Sequence, residues 1–413
     1  MGISMRHDVY DIKFEEMSRE LRSMIAYEPN GALSLEYPQA IFDRVRRETP
    51  VVRWEMGVGF FRMDDVVAAA RNPDLVATDP VTHQAFGMGS AEPLIPLHLD
   101  GDRHRHYRRL LDPLFTPRKM ALLEPQIRAL TDRLIDAFIA DGHADLHDAL
   151  CVPLPSTVFL TLFGMPLDDS EFLNTKKNRI LKNEGTSMME MEEIGRAAGV
   201  EMDAHLRIRL AERRAETERR DDLLDAFMTF QVDGHGLNDD EIVNLMHMFT
   251  IAGLDTVTSS LSCILAWLAT HPVERRHLVE NPDDLPRAIE EIMRSESPVP
   301  SGGGRWAVRD TDINGVPIKQ GEMIYLCWAS ANLDPSMFEN PMAVDLAREP
   351  NAHIAFAAGF HRCLGSHLAR AELRVAVDQF HRRIQDYRVA DGHEVEYEFA
   401  GVRQAKRLPV SWS

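Results

Sequence analysis

Residues 356–365 read FAAGFHRCLG, and a helical pattern, SHLARAELRVAVDQFHRRI, follows directly at residues 366–384. Cys363 therefore lies in a short loop just ahead of a predicted helix. The positive end of a helix dipole and the free N–H groups of the first helical turn stabilise a thiolate. Gly359 and Gly365 flank the cysteine, and glycine allows a tight backbone and a close approach to a flat ligand. The segment predicts a functional thiolate.

Two other roles for Cys363 stay open when the residues alone are considered. A buried structural cysteine is the commonest role of an isolated cysteine. A zinc site could use His361, Cys363 and His367, but H-x-C-x3-H matches no usual zinc spacing and lacks a second cysteine pair. The four cysteines of the chain are scattered without paired spacing, so we expect free thiols and no disulfide framework.

The longest apolar pattern begins at residues 238–241, NDDE, a predicted capping box, and continues to Thr270. Such a helix is about 48 Å long at ~1.5 Å per residue, and because it is apolar on nearly all sides it should be buried. Its centre, residues 252–256, reads AGLDT, where a glycine costs about 1 kcal/mol relative to alanine. Either a close helix crossing at Gly253 with Asp255 paired to a buried arginine explains these residues, or their polar groups act on a ligand.

The cysteine loop resembles the haem-binding segment of the cytochrome P-450 family. Phe356, Gly359, His361, Cys363 and Gly365 match its FxxGxHxCxG signature. The resemblance implies a fold that is mainly α with small β-sheets, the cytochrome P-450 fold, with a long central helix over a buried heme b (iron protoporphyrin IX). It also implies that Cys363 is the axial ligand of the haem iron and that Phe356 packs near the sulfur. A thiolate ligand favours cleavage of the O–O bond.

The AGLDT segment is similar to the family's (A/G)GxDT motif, which distorts the helix over the haem. The resemblance implies that Ala252 lies against the cofactor and that Asp255 and Thr256 are the acid and the alcohol that manage protons at bound dioxygen. Splitting the O–O bond requires two protons, and these are delivered through a hydroxyl and ordered water rather than from bulk solvent. Asp255 and Thr256 are therefore the expected catalytic residues.

Charged residues at family positions complete the predicted site. Glu291 and Arg294, one helical turn apart, would alone be an ordinary surface ion pair of under about 1 kcal/mol. The resemblance instead implies a buried structural network with Arg348 that supports the cysteine loop.

Haem propionates bind arginine and histidine through charge-assisted hydrogen bonds. Four residues match the family's propionate contacts in order and spacing, and these are His104, Arg108, Arg305 and His361.

The expected substrate site is apolar. Three consecutive glycines, Gly302–Gly304, stand where family members usually present side chains to the substrate, so we expect enlarged or flexible space there. A segment at residues 77–97, rich in Gly, Met and Pro, is expected to cover the site. The family's substrate-facing positions fall on Met248, Ile251, Ala252, Val299, Gly302 and Val402.

The remaining pattern predicts small sheets on either side of a helical middle. We expect helices at residues 37–49 and 64–71 with two short strands between them, a hairpin at Asn314-Gly315, and a buried strand in MIYLCWA at residues 323–329. No repeat or flexible linker divides the chain. We therefore expect a single domain over residues 1–413, with an N-terminal β-rich part at 37–63, a helical core at 117–295, and a second β region with the cysteine loop at 298–413.

Composition and charge restrict the partners. A net charge of -19 argues against a nucleic-acid partner, and no uninterrupted apolar run suggests a signal or membrane anchor, so we expect a cytoplasmic protein. The resemblance implies a ferredoxin as electron donor, with an NAD(P)H-dependent ferredoxin reductase, and we expect a monomer. A local basic patch could steer the ferredoxin, and its candidates are Arg105, Arg109, Arg362, Arg370 and Arg374. Otherwise these are scattered, solvated arginines.

The sequence thus predicts a haem-thiolate monooxygenase that inserts one oxygen atom of O2 into an apolar small molecule, by hydroxylation or epoxidation. Two alternatives remain. One is a peroxygenase driven by hydrogen peroxide on the same fold, which the acid–alcohol pair disfavours because peroxide brings its own protons. The other is a haem-thiolate sensor or binding protein without turnover.

Overall fold

The computed structural model describes residues 9–13, 16, 38–55, 57–78, 88–182, 188–232 and 234–413. Helices dominate and the sheets are small, so the predicted mainly helical fold class is confirmed. The chain forms two compact units, unit 1 (residues 1–86, 283–363 and 397–404) and unit 2 (residues 87–282, 364–396 and 405–413).

Unit 1 is built on a six-stranded mixed sheet. Its strands, in spatial order, are Val9–Asp11, Val51–Trp54, Gly57–Phe60, Met323–Cys327, Ser301–Ala307 and Leu75–Val76. The remaining elements of this unit are the hairpin Thr311–Ile313 and Val316–Ile318, the helices Pro38–Glu48, Met63–Ala70, Leu285–Glu296 and Trp328–Ala331, and the 3-10 turn Gly359–His361. The strands Glu396–Ala400 and Val402–Arg407 pair with each other and extend beyond the limits of this unit.

The sheet of unit 1 is held by apolar packing and by a close backbone contact. Val51, Val58, Phe60 and Ile324 are fully buried in an apolar cluster on one face of the sheet. The alternating residues Val52, Trp54 and Tyr325 are buried in a second cluster on the other face. Gly57 is parallel-paired with Met323, and a Cβ at Gly57 would lie 2.0 Å from the Met323 carbonyl oxygen. A glycine is therefore required at this position.

Unit 2 is the helical part. Its helices are Gly101–Leu111, Pro117–Asp136, Pro153–Leu162, Asp169–Leu181, Met188–Ala215, Leu223–Thr229, Asp239–Thr270, Pro272–Glu280 and Ser366–Arg383. Its strands are His143–Asp145, Tyr387–Val389 and Pro409–Trp412, which form one sheet, and the short pair Gln231–Val232 and His235–Gly236.

The central helix, Asp239–Thr270, begins with the predicted capping box. The Glu241 N–H donates to the Asn238 side chain at 3.0 Å, and the Asn238 N–H donates to the Glu241 carboxylate at 2.9 Å. In the described part of the chain this is the one helix long and apolar enough to cross a membrane, but 83% of its most apolar window is buried inside the protein.

Several local predictions agree with the structure. The final long helix spans Ser366–Arg383 as predicted, and the hairpin turn has positive φ at Asn314 (49°) and Gly315 (90°), as a type I′ turn requires. The helix predicted at residues 37–49 is Pro38–Glu48, and residue 37 itself lies outside the described residues.

Two expectations need correction. The strand expected over residues 323–329 ends at Cys327, because Trp328 begins a short buried helix, Trp328–Ala331. The Arg/Glu-rich stretch at residues 205–222 is predicted from its charges to be a solvated helix face. Arg213 in this stretch is instead buried and forms ion pairs at 2.9 Å with Asp222 and Asp225.

Candidate functional site

The cysteine loop is a closed turn of unit 1. The Cys363 N–H donates to the Phe356 carbonyl at 2.9 Å, and a 3-10 turn, Gly359–His361, lies between them. Ala357 (φ 60°) and Gly359 (φ 72°) adopt left-handed backbone. The helix Ser366–Arg383 begins three residues after the cysteine, as expected for a thiolate near a helix start.

The surroundings of Gly359 and Gly365 in the loop differ. A Cβ at Gly359 would lie 1.9 Å from the Ala70 carbonyl oxygen, so this glycine lets the loop pack against the end of the helix Met63–Ala70. At Gly365 no heavy atom lies within 4 Å of a Cβ position. Gly365 therefore borders open space, which is where a flat ligand could approach the backbone.

Exposure separates Cys363 from the other three cysteines. Cys363 is exposed, whereas Cys151, Cys263 and Cys327 are buried. Burial raises the pKa of the Cys327 thiol to about 12 and holds the pKa of Cys151 well above its usual value. Burial therefore disfavours a thiolate at Cys151 and Cys327, whereas the Cys363 thiol is exposed. A buried structural role for Cys363 does not agree with this exposure.

A buried charge network in unit 1 is centred on Glu291. Glu291 and Arg294 are fully buried, and the guanidinium donates two hydrogen bonds of 2.8 Å to the carboxylate. The Arg348 Nε lies 3.0 Å from both carboxylate oxygens, and the Asn351 amide donates at 3.1 Å. Arg294 also donates to the carbonyl of Asn332 at 2.8 Å. The pair is thus not an ordinary surface ion pair.

The network reaches the start of the cysteine loop through Asn332. The Asn332 side-chain oxygen accepts the Ile354 N–H at 2.7 Å, two residues before Phe356. His353 Nε2 lies 2.9 Å from the Glu290 carboxylate. Hydrogen bonds from the helix Leu285–Glu296 therefore fix the chain on which the loop is built.

The middle of the central helix, in unit 2, exposes a short strip although its neighbours are buried. Ala252 is exposed, and Gly253 and Thr256 are half-buried, whereas Ile251 and Leu254 are buried. The nearest heavy atom to a Cβ at Gly253 is Phe159 Cδ2 at 4.0 Å. The close helix crossing considered as an explanation for Gly253 is therefore not present.

Asp255 forms a buried ion pair. Its Oδ1 lies 2.6 Å from Lys177 Nζ on the helix Asp169–Leu181, and both side chains are buried. The structure therefore contains the pairing that the structural explanation of Asp255 required, with a lysine as the cation. Lys177 was missed, although a lysine between the apolar positions Leu173 and Ile180 of an amphipathic helix indicates a buried charge.

Thr256 directs its hydroxyl at its own helix. The hydroxyl donates to the Ala252 carbonyl at 2.8 Å, so its oxygen lone pairs remain to accept a further hydrogen bond. Thr250, Thr258 and Ser259 make the same bond to the carbonyl four residues earlier. Such bonds bend a helix slightly.

The four residues expected to contact propionates belong to both units. His104 is buried and Arg108 half-buried on the helix Gly101–Leu111 of unit 2, and Arg108 Nε lies 2.8 Å from Asp112. Arg305 of unit 1 donates to the Gly304 carbonyl at 2.9 Å, and His361 is half-buried in the cysteine loop. His104 and Arg108 thus lie on one helix of unit 2. In unit 1, Arg305 lies on the strand Ser301–Ala307 and His361 lies in the cysteine loop.

The pocket candidates also divide between the units. Met248 and Ile251 are buried on the central helix. In unit 1 the Arg403 N–H donates to the Pro298 carbonyl at 2.7 Å, which brings the neighbours Val299 and Val402 together. The Arg403 side chain is buried against Glu296 and lies 4.1 Å from the Tyr397 ring centroid.

The glycine run has a packing cause at Gly302. A Cβ there would lie 2.3 Å from Cζ2 of the Trp328 indole, so the space beside this glycine is already filled. Of the expected covering segment, residues 79–87 lie outside the described residues, while residues 88–97 pack in unit 2.

The residues present fit a haem. In the cysteine loop the thiol is exposed and open space borders Gly365, and a large flat ligand would cover both. On the central helix of unit 2, Ala252 is exposed between buried neighbours. The chemistry of the side chains agrees, since a thiol can bind iron and the histidine and arginines can bind carboxylates.

Comparisons with known proteins show the family of the chain. The family model described as Cytochrome P-450 matches residues 88–398. Methyl-branched lipid omega-hydroxylase of Mycobacterium tuberculosis is 31% identical over 409 residues, with 92% of each chain covered. Cytochrome P-450 monooxygenase PikC of Streptomyces venezuelae is 30% identical over 400 residues, with 92% of this chain and 93% of PikC covered. The solved structure of the polyketide synthase cytochrome P-450 PksS of Bacillus subtilis has a TM-score of 0.82 at 28% identity, and the match covers 94% of this chain and 100% of PksS.

Proposed function

The chain belongs to the cytochrome P-450 family and is a monooxygenase of that family, and from this premise we propose that it inserts one oxygen atom of O2 into a C–H or C=C bond of an apolar small molecule. The cofactor we propose is heme b, and the electrons come from NAD(P)H through a ferredoxin reductase and a ferredoxin. The observation that carries the proposal is the exposed Cys363 thiol in its closed loop. The other three cysteines are buried.

The side chains that would hold the haem are those of the predicted set. Cys363 would bind the iron, with Phe356, Gly359 and Gly365 shaping the loop around it and Ala252 exposed on the central helix. The cationic side chains would bind the propionates through charge-assisted hydrogen bonds, and these are His104, Arg108, Arg305 and His361. The bound haem supplies oxygen activation, to which a thiolate ligand contributes electron density.

Asp255 and Thr256 would move protons. Asp255 is paired with Lys177, so a part in proton transfer requires its side chain to leave that ion pair. Thr256 can accept a hydrogen bond while it donates to Ala252, and rotation about χ1 would redirect its proton. Together, Asp255 and Thr256 would pass protons from the buried side of the central helix to its exposed strip at Ala252.

Replacement Thr256→Ala should reduce the product formed per NAD(P)H consumed by about tenfold and increase peroxide release, because a proton donor is lost from the site. The measurement compares product, NAD(P)H and peroxide in one reaction. Thr250→Ala is the matched control, since Thr250 makes the same bond to its own helix at a buried position. Full product yield without excess peroxide in Thr256→Ala would contradict the assigned role.

An apolar substrate agrees with the candidate lining and with the relatives. Met248, Ile251, Val299 and Val402 are aliphatic, and one relative is named for hydroxylation of a methyl-branched lipid. A screen of apolar compounds for the low-spin to high-spin shift of the haem identifies ligands. Turnover under labelled O2, with the reductase and ferredoxin, should place one labelled oxygen in the product. Turnover with hydrogen peroxide alone would favour a peroxygenase, and ligand binding without product would favour a sensor.

The proposed ferredoxin patch contains ion-paired and exposed arginines. Arg105 is paired with Asp102, and Arg374 is paired with Glu124. Arg109 and Arg362 are exposed, and Arg370 is half-buried. Because of their exposure, Arg109 and Arg362 are the arginines we choose to test the steering of an acidic ferredoxin.

Charge reversal at Arg109 and Arg362 should slow reduction by ferredoxin about tenfold at low ionic strength, and added salt should diminish the difference. Stopped-flow reduction of the haem is the measurement. Arg388→Glu is the control, because Arg388 is an exposed arginine outside the patch. Equal reduction rates for the double charge reversal and for Arg388→Glu would contradict the proposed ferredoxin patch.

We also propose a cytoplasmic, monomeric protein without a nucleic-acid partner. The apolar central helix is mostly buried and the net charge is -19, which support this proposal. Cell fractionation and sedimentation test it.

A further inference from the structure

A buried ion pair in unit 1 joins two segments that are 107 residues apart in the chain. It is formed by Glu296, the last residue of the helix Leu285–Glu296, and by Arg403 on the strand Val402–Arg407. The exposed fraction of the side chain is 9% for Glu296 and 2% for Arg403. The pair therefore fixes the end of this helix to the strand.

Each member of the pair has a further partner. The Gln39 side-chain amide donates to the other carboxylate oxygen of Glu296 at 3.2 Å and to the Ser295 carbonyl at 3.1 Å. The guanidinium carbon of Arg403 lies 4.1 Å from the Tyr397 ring centroid, which is the distance of a cation–π contact. The Arg403 side chain is thus held by the Glu296 carboxylate and by the Tyr397 ring.

An ion pair is a poor means of stabilising this end of the helix. The Glu296 carboxylate lies at the C-terminal end, where the helix dipole is negative and favours cations. Burial also removes both charges from water, and apolar side chains of similar volume are often as stable as a buried ion pair. What the ion pair adds is direction, because a guanidinium and a carboxylate bind each other in few geometries. The pair therefore indicates a requirement for position.

Beside the ion pair, residues 298–300 are fixed through their backbone. The Arg403 N–H donates to the Pro298 carbonyl at 2.7 Å, and the Ala329 N–H donates to the Pro300 carbonyl at 3.1 Å. Val299 thus lies between two prolines whose carbonyl groups are both bound. Because proline also fixes its own φ at about −65°, the position of Val299 is closely defined.

Strand geometry determines where the Val402 side chain points. Successive side chains of a strand point to opposite faces, so the side chains of Val402 and Arg403 lie on opposite faces of the strand. A slip of the strand by one residue would exchange the two faces. Arg403, bound by Glu296, therefore sets the register that directs Val402.

Val299 and Val402 are half-buried, although their neighbours are buried. Residues 291–298 and Pro300 are buried on one side of the contact, and residues 403–405 are buried on the other. The hydrogen bond between Arg403 and Pro298 brings the two valines together, and we call the apolar surface that they form the valine wall. An apolar ligand that covers this surface gains free energy by removing it from water.

We propose that Glu296 and Arg403 are positioning residues that hold the valine wall in place, and that the wall decides how firmly a large apolar ligand is bound. The statement about ligands rests on the proposed function, in which Val299 and Val402 line the substrate pocket, whereas the statement about the wall does not. Glu296 and Arg403 act through the segments that they hold. They would therefore determine specificity without contact to the ligand.

The test removes the ion pair without leaving a buried charge. The double variant Glu296→Met/Arg403→Met replaces both charged side chains with unbranched apolar ones, and the Gln39 amide keeps the Ser295 carbonyl as its acceptor. The single variant Arg403→Met is less suitable, because it leaves the Glu296 carboxylate buried without its counter-ion.

The matched control is the double variant Glu396→Met/Arg407→Met. Glu396 and Arg407 form an ion pair of 2.8 Å on the same two paired strands, but both side chains are about half exposed. The midpoint of chemical denaturation should be nearly the same for the wild type and for both double variants. A large loss of stability confined to Glu296→Met/Arg403→Met would show that the buried pair stabilises the fold, and would overturn the positioning role.

Amide hydrogen exchange of residue 403, corrected for intrinsic exchange, reports the position of the wall. This amide donates to the Pro298 carbonyl, so its protection requires the two segments to remain together. Exchange should become about tenfold faster or more in Glu296→Met/Arg403→Met and should not change in the control. Unchanged exchange in Glu296→Met/Arg403→Met would overturn the proposal.

Two azoles test the statement about ligands in the haem-loaded proteins. Imidazole and 4-phenylimidazole both change the haem absorbance when they bind iron, but the phenyl ring adds apolar surface for the valine wall to contact. In Glu296→Met/Arg403→Met, the dissociation constant of 4-phenylimidazole should rise about tenfold, and that of imidazole by less than about twofold. Equal changes for the two azoles, or no change for either, would overturn the statement about ligands.

Val402→Ala tests whether the ion pair acts through the wall. In the wild type, Val402→Ala should weaken the binding of 4-phenylimidazole, whereas in Glu296→Met/Arg403→Met it should add little, because the wall is already displaced. A full additional loss in that background would show that the ion pair acts by another route, and the proposal would be wrong. If neither azole changes the absorbance of any protein, the haem assignment fails instead, and hydrogen exchange alone decides the role of Glu296 and Arg403.

Discussion

Cys363→Ser should abolish product formation and shift the absorption band of the reduced carbon monoxide complex away from the position of a thiolate-bound haem. Serine keeps the size of the side chain but cannot supply a soft, easily ionised sulfur ligand. The loop itself should persist, because its closing hydrogen bond joins the backbone of residue 363 to Phe356. Absorption spectra and turnover with the reconstituted electron-transfer chain are the measurements.

The matched control for Cys363→Ser is Cys151→Ala. Cys151 is buried, and the pKa of its thiol is raised, so it should contribute packing and no ligand. Alkylation gives an independent check: Cys363 should react rapidly in apoprotein and be protected when haem is bound. Retention of the thiolate spectrum in Cys363→Ser would show that another cysteine binds the iron, and the proposed site would be wrong.

Local sequence signals were sufficient to predict several helix starts and turns of the fold. The capping box at Asn238 and Glu241 forms as predicted because both partners lie within one helical turn. The turn at Asn314-Gly315 follows from the positive φ that these residues tolerate. The site residues themselves came from a resemblance, since no local rule assigns an axial ligand or a propionate contact.

Contacts between distant segments could not be predicted in the same way. The partner of Asp255 is Lys177, 78 residues away, and Gly302 is required by the Trp328 indole. Gly359 similarly lies against the Ala70 carbonyl. A sequence shows that such a residue is unusual for its position, but only the packed structure shows which neighbour requires it.

Glu291→Gln should lower the free energy of unfolding by roughly 3–5 kcal/mol, because it leaves buried positive charge without its counter-ion. The carboxylate accepts from Arg294, Arg348 and Asn351 and from the Asp345 N–H at 2.9 Å. Glutamine has nearly the same shape, but its amide N–H groups would face N–H groups that now donate to the Glu291 carboxylate. Chemical denaturation of the haem-loaded protein measures the change.

Glu290→Gln is the matched control for Glu291→Gln on the same helix. Glu290 is partly exposed and pairs with His353 at 2.9 Å, so its change should cost no more than about 1 kcal/mol. The contrast reflects the burial of Glu291 and its several donors, because the two substitutions are chemically identical and adjacent. A small and equal effect of both would mean that water reaches Glu291, and the network would then be unable to fix Asn332 and the chain leading to the cysteine loop. If Glu291→Gln proves too unstable to purify, Arg348→Lys retains the charge while removing the planar guanidinium, and an intermediate loss of stability with weakened haem retention is expected.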